Sequence, residues 1–123
     1  MLYMKDWEVC APPGFSLGFE GDNGATVLEV FTDLTEEWDL KVDVEKDGEK
    51  NIIQLIRTGM VYSALLTASM LADDGTYAMQ VRGTLGDYVR HSNLFYATVF
   101  RSINAVAFFP PPLPSELNKW RTG

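Results

Sequence analysis

The sequence predicts an all-β fold, an antiparallel β-sandwich of seven to eight short strands. Two observations carry this: apolar residues recur with a period of two, and turn signals interrupt the chain roughly every ten residues. A third is that helix-period patterning is scarce. Residues 67–72 (TASMLA) offer at most one helical turn at a corner between strands.

The clearest strand covers residues 38–45. Trp38, Leu40, Val42 and Val44 alternate with Asp39, Lys41, Asp43 and Glu45. Successive side chains of a strand point to opposite faces, so this pattern predicts a half-buried antiparallel strand with a wet outer face. Lys46-Asp47-Gly48-Glu49 follows, and Asp-Gly suits a hairpin because both central turn positions need φ > 0. Residues 51–57 (NIIQLIR) return as its partner. After Thr58-Gly59, residues 60–66 form the next strand. Residues 25–31 (ATVLEVF) follow the turn-rich Gly21-Asp22-Asn23-Gly24. Residues 76–83 (TYAMQVRG) follow Asp73-Asp74-Gly75, and residues 94–101 (LFYATVFR) close the series after the loop at Leu85-Gly86-Asp87.

Both ends are weaker in pattern. Residues 2–5 and 15–20 are candidate strands separated by Ala11-Pro12-Pro13-Gly14, and either residues 1–14 or the stretch 15–20 alternatively forms an N-terminal arm. The sandwich spans residues 1–109. Residues 110–123 make a proline-rich arm, extended through Pro110, Pro111, Pro112 and Pro114. Ser115 before Glu116 and Leu117 resembles a helix N-cap, with too few residues beyond it for a stable isolated helix. This end is an arm, a linker stub, or the start of an element completed by another chain.

Composition bounds the function. A chain of 123 residues with 46% hydrophobic side chains is one folded domain. Seventeen acidic against ten basic residues give a net charge of −7, which argues against nucleic acid and anionic membrane surfaces and suits a basic partner. No apolar run approaches the ~20 residues of a membrane span, and the first residues lack a basic segment followed by an apolar one. Cys10 is the single cysteine. No intrachain disulfide or multi-Cys zinc site is therefore expected, in keeping with folding in a reducing cytoplasm.

Asp73, Gly75 and Tyr77 form an Asp-x-Gly-x-Tyr segment, with Met79 two residues further on and Trp38 in an earlier strand. This resembles the corner entering the sixth strand of immunoglobulin-type (Ig-like) sandwiches. The resemblance implies that the Tyr77 hydroxyl pins the corner through backbone. It implies that Trp38 and Met79 are core residues, with Met79 where the family's core Cys would stand. The other end of that disulfide falls near Val27, Leu28 and Val30, so the implied core is bridge-free.

A second resemblance covers residues 38–104. It is carried by Trp38-Asp39-Leu40-Lys41, Asn51-Ile52-Ile53, Leu65-Leu66-Thr67-Ala68, Met70-Leu71, Gly75-Thr76-Tyr77, Gln80-Val81-Arg82-Gly83, His91-Ser92-Asn93 and Ser102-Ile103-Asn104-Ala105. These resemble a module of phage virion proteins, of the baseplate-upper-protein or fibre N-terminal type. The resemblance implies a structural virion component in tail, baseplate or head, folded in the host cytoplasm before assembly. Ending at Gly123 without a stalk, the sequence favours a small adaptor or decoration subunit over a complete fibre.

Chemistry is sparse. Asp43-Val44-Glu45-Lys46-Asp47-Gly48 looks like the opening of a calcium loop, but Gln54 stands where a bidentate Glu belongs and Lys46 sits inside it. A strand running into an Asp-Gly hairpin explains it better. His91 and Ser92 are neighbours, and neighbours on a strand point apart. Cys10 has Asp6 and Glu8 nearby rather than a basic activator. The pairs Glu36 with Glu37 and Asp73 with Asp74 sit in turn segments rather than a cleft. No catalytic residue, cofactor or metal is expected.

The informative surface is apolar. Residues 94–101 are apolar on both faces, and Ala105-Val106-Ala107-Phe108-Phe109 continues this into the prolines. Phe95, Val99, Phe108, Phe109, Leu113, Leu117 and Trp120 are the candidate assembly contacts. Alternatively, the C-terminal arm covers its own sheet. The sequence thus predicts a non-enzymatic subunit meeting other virion proteins, as a homo-oligomer or bound to a lattice. A capsid decoration or head-fibre role is one alternative. A module binding carbohydrate or a host surface through Tyr88 or Trp7 is another.

Overall fold

The computed structural model describes residues 1–112, and among them the fold is all-β. The strands are β1 (Leu2–Lys5), β2 (Glu8–Cys10), β3 (Ser16–Phe19), β4 (Val27–Thr32), β5 (Asp39–Lys46), β6 (Glu49–Gln54), β7 (Ile56–Thr58), β8 (Val61–Leu65), β9 (Gly75–Leu85) and β10 (Tyr88–Phe100). They form two five-stranded sheets, ordered β2-β1-β4-β8-β7 and β3-β10-β9-β5-β6.

Alternation decides which faces meet. Leu2, Met4, Val9, Leu28, Val30 and Tyr62 of the first sheet share one buried cluster with Leu17, Leu40, Val42, Val44, Met79, Val81, Phe95, Ala97 and Val99 of the second. Between Asp39 and Glu45 every second residue enters that cluster, as the pattern of period two requires. The turn from β5 to β6 places Asp47 and Gly48 at φ 52° and 81°. This is the paired left-handed geometry that Asp-Gly accepts, and the calcium-like segment is spent on that hairpin.

Several expectations need correction. Among the described residues there are ten strands rather than seven or eight, and the sheets are not purely antiparallel: β1 runs parallel to β4, and β3 parallel to β10. Residues 51–57 are not one strand. The chain leaves β6 at Leu55, which is buried and still donates its N–H to the Leu40 carbonyl at 3.1 Å, and then joins the other sheet as β7. The strand expected over 94–101 begins at Tyr88, since residues 88–91 already pair with β9. Residues 67–72 make a single turn closed by bonds from the Met70 and Leu71 N–H groups to the Thr67 carbonyl.

Residues 1–14, read alternatively as an arm, instead carry the β1–β2 hairpin, with Leu2, Met4 and Val9 buried. Residues 110–112 have no regular structure and are exposed. Leu113, Leu117, Trp120 and the short helix expected after Ser115 lie outside the described residues.

Candidate assembly surface

The corner residues meet as the motif implies. The Tyr77 hydroxyl donates to the Asp73 carbonyl at 2.6 Å, and Gly75 opens β9 at φ 121°. Burial raises the Tyr77 pKa above the usual phenolic value. Met79 is fully buried in the core. Trp38 is half-buried, lies just before β5, and packs on the rim of the core.

The aromatic inside that rim is Trp7, which the sequence suggested as a loop residue for glycans. It is 7% exposed. Trp7 meets Trp38 edge to face at 4.9 Å between ring centroids, and the Arg90 guanidinium lies 5.1 Å from its ring. Opposite it is Gly83, where an added Cβ would stand 2.9 Å from both Trp7 Cζ3 and Leu40 Cδ2. Only a glycine leaves room for the indole. Tyr88, the other aromatic suggested for glycans, is exposed at the tip of the β9–β10 hairpin.

A register shift interrupts β10 between His91 and Leu94. It turns Ser92 inward, where its hydroxyl accepts the Val81 N–H at 2.9 Å and donates to the Asn93 carbonyl at 2.8 Å. His91 lies on the outer face, in register with Arg82. The same bulge releases the Asn93 amide, which accepts the Val9 N–H at 2.6 Å and donates to the Val9 carbonyl at 3.1 Å. Bulges re-aim side chains in this way, and here one side chain ties β2 of the first sheet to β10 of the second.

Packing against the other sheet fixes which side of β10 faces out. Phe95 and Val99, expected as assembly contacts, are 5% and 1% exposed and belong to the core. The outward residues are Leu94, Tyr96 and Phe100. Across the outer face of this sheet, Leu94, Gln80, Asp43 and Ile52 lie side by side, and Tyr96, Ala78, Glu45 and Lys50 form the next row. The small Ala78 makes the floor of an open groove of about 680 Å³. Arg82 donates to Asp43 at 3.0 Å beside it, with its Nε buried and unpartnered. At the margin, Lys41 and Gln54 hydrogen-bond the Asp39 carboxylate and hold it below the usual carboxylate range.

Beyond Phe100 the chain leaves the body. Ser102 donates its N–H to the Glu20 carboxylate at 3.0 Å and its hydroxyl to the Glu20 carbonyl at 2.7 Å, fixing the point of departure beside β3. Ile103 is 87% exposed, and among the described residues Val106, Phe108 and Phe109 are packed against nothing. Sequence reasoning found Phe108 and Phe109 through their run of apolar neighbours. It did not single out Leu94, Tyr96 and Phe100 as the outward set, because both faces of residues 94–101 are apolar and a pattern of period two does not say which of two apolar faces is buried. Compared with protein-family models and with curated proteins, the chain matches none.

Proposed function

We propose that the chain is a non-enzymatic structural subunit of a phage virion that works through protein–protein contacts in tail, baseplate or fibre attachment. One observation carries the assembly part: a rigid two-sheet body that ends in an apolar segment standing clear in water. Monomeric soluble proteins rarely expose contiguous apolar surface of this kind, and where they do it marks an interaction site. The virion assignment rests on the resemblance of residues 38–104 to phage virion modules.

An Ig-like sandwich is the fold type that the strand order favours. The runs β4-β8-β7 and β10-β9-β5-β6 have the order of strands B-E-D and G-F-C-C′ in variable-type Ig domains, and the Tyr77 corner stands at the entry to the equivalent of strand F. The parallel β1 and its hairpin partner β2 depart from that pattern.

The test is composition of the particle. Mass spectrometry of gradient-purified virions should find the chain at a stoichiometric copy number, and immunogold labelling should locate it at the tail or baseplate. Labelling on the capsid would move the role to decoration or a head fibre. Absence from particles would sink the proposal.

A further inference from the structure

The geometry points to a receiving site for the arm: the free edge of β6 and the crevice beneath it bind residues 105–109 of a neighbouring copy, which adds as a further strand. This deepens the assembly reading above and rests on it.

The donor segment has the chemistry of a strand without a sheet. Residues 105–109 read Ala-Val-Ala-Phe-Phe. In extended backbone, Val106 and Phe108 share one side while Ala105, Ala107 and Phe109 share the other. The Val106–Phe108 side suits a crevice, and the small Ala105 and Ala107 allow close approach on the opposite side up to Phe109. The segment carries no charge and no proline before Pro110, so its N–H groups are free to pair.

The acceptor is selected by elimination among the four sheet edges that are free among the described residues. β2 and β7 have three residues each, and β3 has four, broken by Gly18 at φ 116°. β6 pairs with β5 over six consecutive residues without a register shift, and its other side is open. The Leu55 N–H bonds the Leu40 carbonyl, so by the alternation of antiparallel pairs Ile53 and Asn51 also turn their backbone groups toward β5. Lys50, Ile52 and Gln54 therefore present N–H and C=O groups to the open side. Under this edge, Val44, Ile53, Met70 and Tyr77 line a crevice of about 330 Å³, rimmed by Lys46 and Asp73. A strand added to β6 would direct alternate side chains into it, and the Val106 and Phe108 side of the arm suits that place.

The arm departs beside β3, at the opposite edge of the same sheet, four strand spacings or roughly 19 Å away. Donor and acceptor are thus different surfaces. Such a contact is heterologous and builds rings or filaments rather than a closed pair.

The test uses the full chain and light scattering at matched concentrations. An arm variant carries Val106→Asp with Phe108→Asp. An edge variant carries Ile52→Pro, which removes an outward N–H while leaving the β5–β6 ladder bonds, with Ile52→Lys as a second edge variant. Near-UV circular dichroism checks that each is folded. Wild type should grow past the dimer with concentration, and each variant should stay monomeric. An equal mixture of arm and edge variants should form a species of twice the monomer mass, because one intact arm then meets one intact edge. A monomeric mixture, an arm variant or folded edge variants that assemble like wild type, or a wild type that stays monomeric would overturn the proposal. Recovery of the chain in virions is independent of all four results, so this site can fail while the structural role stands.

Discussion

The β1–β2 hairpin and residues 102–109 flank the same body, and both carry aromatic residues that the sequence leaves unassigned to a core. They end in opposite conditions. Trp7 occupies a tight turn with Asp6, at φ 62° and 51°, a region that bulky residues rarely adopt. It is nevertheless held, because Gly83 makes room for it, Trp38 and Arg90 flank its ring, and Asn93 pairs with Val9 next door. Phe108 and Phe109 have no such counterpart among the described residues. Hydrophobicity alone therefore does not say which aromatic is core. A small residue opposite and satisfied backbone nearby decide it, and an aromatic lacking both is available to a partner.

The largest effect should come from truncating the two aromatics separately. Trp7→Ala removes a buried indole and should destabilise the subunit by about 3–5 kcal/mol. Phe108→Ala removes a side chain that packs against nothing among the described residues and should change stability by less than about 0.5 kcal/mol. Urea denaturation at concentrations where the subunit is monomeric checks both. Similar losses for the two would mean that the arm folds back onto its own body in solution.

A smaller effect sharpens the reason for the hairpin's fixity. Asn93→Ala deletes both bonds to Val9 and strands its N–H and carbonyl, at a cost of about 1–3 kcal/mol. Hydrogen exchange should then show faster exchange at Val9 and its β2 neighbours, while β5 and β9 keep their protection. Uniform loss of protection would mean that the hairpin belongs to the global core rather than to this one side chain.

Much of this body is legible in the sequence. The alternation from Leu40 to Val44 and the Asp47-Gly48 turn are local, and local pattern predicts local structure. Asp73, Gly75 and Tyr77 likewise act within five residues of one another. What the sequence hides is contact between distant residues: Trp7 against Gly83, and Asn93 with Val9, 84 positions apart. The parallel pairing of β1 with β4 leaves no local mark either. The costly omission for the candidate surface is the choice of face on β10: with Leu94, Tyr96 and Phe100 on one side and Phe95, Ala97 and Val99 on the other, both sides are apolar, and only packing against the other sheet buries Phe95 and Val99. The exposed run at residues 105–109 is legible because no distant residue among those described packs on it.

The smallest expected effect concerns the corner. Tyr77→Phe removes one hydroxyl bond to the Asp73 carbonyl and should cost about 0.5–1.5 kcal/mol at neutral pH. Alkali offers an independent check. Burial raises the pKa of both Tyr77 and Tyr62 in the folded chain above that of an unfolded tyrosine, near 10. Below pH ~10 both states keep these protons and the contribution is fully present. As pH rises past ~10 the unfolded chain ionises first and gains, so stability falls until the folded-state values are passed. Wild type should lose stability in that window, and Tyr77→Phe should show a shallower slope because the Tyr77 share of that loss is gone. An unchanged slope in Tyr77→Phe would place the Tyr77 ring in water, and with it the corner that orients β9 against β10.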